Sequence, residues 1–166
     1  MATVRTIAPS QPRKRFMFYG DILLVIHIAA AGAWLGANLV QAMVPGLLGP
    51  VTPAAASWFR ATEKLSGRFY IPAGVTVLVT GILLVLDSEL YGFDSVFVSI
   101  GFVAVVIGAV LGSTVFGPKS VAIADAIDAG ETDRANKIRG TVGSFGILDT
   151  LVLLFTIYAM VAKLGA

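Results

Sequence analysis

Four stretches of the chain are almost continuously apolar, at about residues 21–43, 70–86, 95–116 and 144–161, and polar residues collect between them. Each is close to the ~20 predominantly apolar residues that a helix needs to cross the hydrocarbon core of a bilayer. Breakers close them: Pro45, Gly46, Gly49 and Pro50 after the first, the acidic turn DSELYGFD after the second, Gly117-Pro118 after the third. The pattern predicts an all-α, integral membrane four-helix bundle with amphipathic connecting helices, occupying residues 20–166. Residues 1–19 read as a polar N-terminal arm without hydrophobic periodicity. Arg13-Lys14-Arg15 followed by an apolar run and AAAGA imitates a signal peptide. A signal peptide's apolar core covers only about 7–15 residues, so a retained first span is expected here.

Two connections carry periodicity of their own. Thr52-Pro53 is a good N-cap and first-turn pair ahead of PAAASWFRATEKLSGRF. There Arg60, Lys64 and Arg68 recur every four residues, opposite Trp58, Phe59, Leu65 and Phe69. Such a pattern predicts a helix at the membrane surface, or one that continues into the second span with Pro72 kinking it. The other connection, Lys119 to Arg139, reads as a helix stopped at Gly130, then a second helix capped by Thr132 and entering the fourth span.

Composition supports the membrane reading and narrows the chemistry. Of 166 residues 57% are hydrophobic and 13% charged, with mean hydropathy +0.87, whereas soluble domains average about 25% charged. There is no cysteine, so disulfides, iron–sulfur clusters and thiolate metal sites are excluded. The net charge of +2 is spread over helix ends, which gives no nucleic-acid footprint. Basic residues do not fix the orientation. Arg5, Arg13, Lys14, Arg15 and Lys163 fall on one side, and Arg60, Lys64, Arg68, Lys119, Arg134, Lys137 and Arg139 on the other.

The first span holds the richest pattern. At 100° per residue, His27, Trp34, Asn38 and Gln41 form a stripe about 60° wide, and Gly32 and Gly36 lie on the opposite face as a GxxxG pair. Small-residue faces let helices approach closely in lipid. Unsatisfied polar groups facing lipid are costly. The stripe is therefore expected to face the bundle interior or a partner, with Gly32 and Gly36, and likewise Gly108 and Gly112 of the third span, packing against neighbouring helices.

His27 is the only histidine. An ionisable residue inside a membrane invites a functional reading, here a ligand to haem or copper or a proton relay. Against that, a haem with two protein ligands needs a second histidine, supplied only by a symmetric dimer, and copper favours clustered sulfur ligands, while Met17, Met43 and Met160 are scattered. A neutral histidine hydrogen-bonded to a neighbouring helix is the leading expectation, with no cofactor. Asp149 lies about two turns inside the fourth span. Alternating helix directions place it level with Asn38 and Gln41 and with Ser113 and Thr114, away from His27. It reads as a carboxylate bonded to polar neighbours or paired with Arg68 or Arg139, or as an ion or proton site.

The segment HIAAAGAWLG resembles the opening of small bacterial four-helix membrane proteins of the copper-resistance-D type, and GRFYIPAGVTVLVTGILLVL resembles the second helix of their uncharacterised branch. That resemblance implies a four-helix inner-membrane protein. Copper-linked members carry further histidines and methionines in later helices, which this chain lacks. With no phosphate loop, triad or HExxH, the expected function is non-catalytic: an accessory subunit of a larger plasma-membrane assembly, such as a respiratory complex, in contact with lipid and with other subunits or copies of itself.

Overall fold

The structure, a computed structural model, describes residues 14–165, and most of the expected polar arm lies outside them. The chain is all-α. Helices α1 (Lys14–Leu48), α2 (Pro53–Leu65), α3 (Ile71–Asp87), α4 (Val96–Leu111), α5 (Gly117–Asp128) and α6 (Thr132–Ala162) follow one another. α2 runs on into α3 through a π-helical turn at Ser66–Tyr70, and α4 into α5 through another at Gly112–Phe116. The result is four long rods, Tyr19–Leu48, Pro53–Asp87, Val96–Asp128 and Thr132–Ala162, each long and apolar enough to cross a membrane.

Both π turns stand just ahead of a proline, Pro72 and Pro118. Proline lacks an amide donor and its ring crowds the carbonyl four residues earlier, which normally breaks a helix. Here the wide turn shifts the bonding to a five-residue spacing: Ile71 N–H donates to Ser66 O and Gly117 N–H to Gly112 O. The helix therefore passes through each breaker. Gly117-Pro118, which the sequence pattern reads as the end of the third span, lies inside the third rod. At 1.5 Å per residue both π turns lie about 25 Å from the α3–α4 connection, so they share one level of the bundle.

Beyond that level the rods extend into a cap. Ala55, Ala56 and Phe59 of α2 meet Ile123, Ala124, Ala126 and Ile127 of α5 and Ala135 of α6 in one buried cluster. Of the two readings of this helix, continuation into the second span is the one that the structure shows, and its apolar face is covered by α5. Its basic residues and Arg68 of the following π turn point outward: Arg60 pairs with Asp125 at 3.0 Å and Asp128 at 2.5 Å, and Lys64 and Arg68 are exposed. The Thr52 cap forms as expected, accepting from Ala55 N–H and donating to Leu48 O. Arg139 ties down the same corner, donating to Pro50 O and Pro45 O and lying over the Phe59 ring. Gly130, at φ +73, takes the left-handed conformation that ends α5. Thr132 is not the cap of α6; Glu131 holds that position.

The opposite end is closed by Val85, Phe97, Val98 and Ala159. The first amides of α4, which no helical carbonyl can satisfy, donate from Phe97 to Leu164 O and from Val96 to Gly165 O. Two apolar clusters thus clamp the ends of the rods. Between them, at bilayer depth, the contacts are of another kind.

Candidate functional site

The polar stripe of α1 is its buried seam. Leu23, His27 and Trp34 are buried, and Asn38 and Gln41 are half-buried, while Ile22, Val25, Ile28, Leu39, Val40 and Met43 on other faces are exposed. An arrangement with polar groups inside and apolar groups outside is what a lipid solvent selects.

Three levels of contact follow along α1. Nearest the α3–α4 end, His27 Nδ1 and Thr80 Oγ1 of α3 lie 2.9 Å apart, and Thr80 Oγ1 also donates to Thr76 O at 2.6 Å. The imidazole lies over Gly81, where a Cβ would stand 3.3 Å from its Cε1. About two turns along, Trp34 fills the space left by two glycines of other helices. A Cβ at Gly74 would stand 3.4 Å from the indole, and one at Gly108 only 2.5 Å. Tyr70 meets Trp34 edge-on, with centroids 6.3 Å apart.

The third level is a chain of hydrogen bonds. Gln41 Nε2 donates to Tyr70 Oη, Tyr70 Oη donates to Asn38 Oδ1 at 3.2 Å, and Asn38 Nδ2 donates to Asp149 Oδ2 at 2.7 Å. Every donor points the same way, and Asp149 is the terminal acceptor. Its side chain is 2% exposed, and Oδ1 has no hydrogen-bond partner among the described residues. The structure thus brings Asp149 to Asn38 and places Gln41 two hydrogen bonds away, with His27 at another level. Neither Arg68 nor Arg139 pairs with Asp149; Arg68 is exposed and Arg139 is held by the proline carbonyls. Ser113 and Thr114 are exposed and donate back to carbonyls of α4.

Tyr70 and Thr80 are the members that sequence patterning misses. Tyr70 sits at the start of an apolar run, where an aromatic residue reads as an interfacial anchor. Thr80 is the one hydroxyl residue deep in the second span other than Thr76, which is a legible signal once His27 needs a partner.

The glycine expectations divide. Gly108 packs tightly, but a Cβ at Gly32, Gly36 or Gly112 would meet nothing within 4 Å. The expected packing role of these three is not met inside this chain. The reason is geometric: Gly32 and Gly36 lie opposite the stripe, and the stripe has turned inward. Between α4 and α6 a groove of about 500 Å³ is lined by Val103, Ile107, Leu151 and Phe155 among others and offers only apolar surface. Among the described residues no three His, Asp or Glu side chains are grouped to hold a metal. No family model, no curated protein and no solved structure matches this chain.

Proposed function

We propose that the chain is a non-catalytic integral protein of the bacterial plasma membrane, serving as an accessory or structural subunit of a larger membrane assembly, with a respiratory complex as the host. The observation that carries this reading is the open Gly32–Gly36 face of α1. It is a close-approach surface at bilayer depth that no helix among the described residues covers. The low internal burial of the rods, between 11% and 33% over their apolar windows, supports it by leaving wide lateral surfaces for other subunits. So does the short supply of reactive side chains, with no cysteine and one histidine.

Gly36→Leu tests the reading. A Cβ there would meet nothing within 4 Å among the described residues, and leucine improves helix propensity by several tenths of a kcal/mol, so the thermal midpoint of the isolated protein should hold or rise. In mild detergent the wild type should migrate with respiratory subunits, and the variant at the size of the free chain. Wild-type protein that migrates alone would overturn the proposal.

Use of His27 as a haem ligand has less support, because its ring is packed on Gly81 and the chain supplies no second histidine as a partner ligand. The visible spectrum of the purified protein should show no Soret band. A Soret band that vanishes in His27→Ala would replace the structural role of His27 with a cofactor role.

A further inference from the structure

Asp149 is a buried acid with too few partners for a charge. One carboxamide, Asn38, donates to Oδ2, and Oδ1 has no partner among the described residues. Asn38 of α1 faces it directly, and Tyr70 from the π turn before α3 and Gln41 of α1 follow behind Asn38 in the chain described above. The fourth side adds no charge, since Val96–Phe116 contains no ionisable residue. On α6 itself no other ionisable group lies between Arg139 and Tyr158. The ion pairs of Arg60 with Asp125 and Asp128 and of Arg134 with Glu131 lie in the cap, away from Asp149. His27 lies about 16 Å along α1 from Asn38.

A carboxylate removed from water needs a counter-cation or several donors. A carboxylic acid needs less: one oxygen accepts and the other carries the hydrogen. The geometry of Asp149 fits the acid. We propose that Asp149 is a reversible proton-binding site within the membrane section of the bundle, with Oδ1 as the atom that takes the proton. The step is an exchange with water: the carboxylate and a hydronium ion give the carboxylic acid and a water molecule, and the reverse returns them. The Gln41–Tyr70–Asn38 chain is not a proton wire, because carboxamides keep their protons. It is directional and ends on Oδ2, so it holds that oxygen as acceptor and leaves Oδ1 for the proton. Asn38, Tyr70 and Gln41 are positioning residues. This site stands independently of the assembly reading, since every group in it belongs to one chain.

Infrared spectroscopy of the full chain in lipid nanodiscs tests the site, in buffers with and without Na⁺ or K⁺. At neutral pH the wild type should show the C=O band of a protonated carboxyl group, shifted in D₂O, shifted again by ¹³C-aspartate labelling, and lost in Asp149→Asn. The other described aspartates are exposed, and loss of the band in Asp149→Asn assigns it to the buried one. Raising the pH should convert it to a carboxylate band, and Asn38→Leu should displace the midpoint of that conversion, which a role confined to packing would not. Absence of the acid band at neutral pH would overturn the proposal. So would a carboxylate band that responds to added Na⁺ or K⁺, which would make Asp149 a cation ligand. The isotope label reads the wild type directly, so the test survives a variant that does not fold.

Discussion

Trp34→Ala is expected to destabilise the bundle by about 3–5 kcal/mol, the usual cost of emptying a buried aromatic site. Between lipid and a protein interior there is little hydrophobic transfer energy to lose, so the cost is mainly lost contact: the indole touches two other rods of the bundle. The glycines that receive it supply internal controls. A Cβ at Gly108 would stand 2.5 Å from the indole, so Gly108→Ala must displace the ring or the helix and should cost about 1–3 kcal/mol. A Cβ at Gly74 would stand 3.4 Å away, which is ordinary contact, and Gly74→Ala should change little. Combining Gly108→Ala with Trp34→Phe should cost less than the sum of the two, by about 0.5–3 kcal/mol, because the smaller ring yields the space the methyl takes. Denaturation in mixed detergent micelles measures all five variants. Additive costs would show that Trp34 and Gly108 do not share one packing site.

This contact also shows what was readable in the sequence. The number of spans and the inward stripe of α1 follow from periodicity, because a bilayer penalises outward polar groups at every position along the stripe. Alternating helix direction placed Asp149 level with Asn38, and their hydrogen bond stands there. Which glycines would pack was not readable. GxxxG spacing selects Gly32 and Gly36, yet the tight approach in this chain is a tryptophan of one helix entering glycines of two others. A pattern along one helix says nothing about where a neighbour's large side chain falls. The length of the third rod escapes the pattern for a different reason: Gly117 and Pro118 are breakers for an α-helix, and nothing in composition reveals that a π turn will absorb them.

The second large effect concerns the donor to Asp149. Asn38→Leu removes the one hydrogen bond that this buried carboxyl group accepts, and leaves Tyr70 Oη without its acceptor. The expected loss is about 1–3 kcal/mol, the cost of orphaning buried neutral polar groups. The magnitude bears on the state of the acid. Stripping the partner from a buried charge costs about 3–5 kcal/mol, so a loss in that upper range would speak for an ionised Asp149, and a loss in the lower range for a protonated one. Asp149→Asn keeps the shape and an acceptor oxygen for Asn38, and should cost less than Asn38→Leu. Asn38→Leu with Asp149→Leu removes both polar partners, and in lipid a leucine pair at these positions packs without penalty, so the double variant should recover most of the stability that Asn38→Leu loses. If it falls further instead, the polar network holds α1 and α6 together in its own right, and Asp149 is part of the fold rather than a load the fold carries. The two outcomes separate on one set of denaturation curves, because the single and double variants move in opposite directions only when the carboxyl group is the costly member.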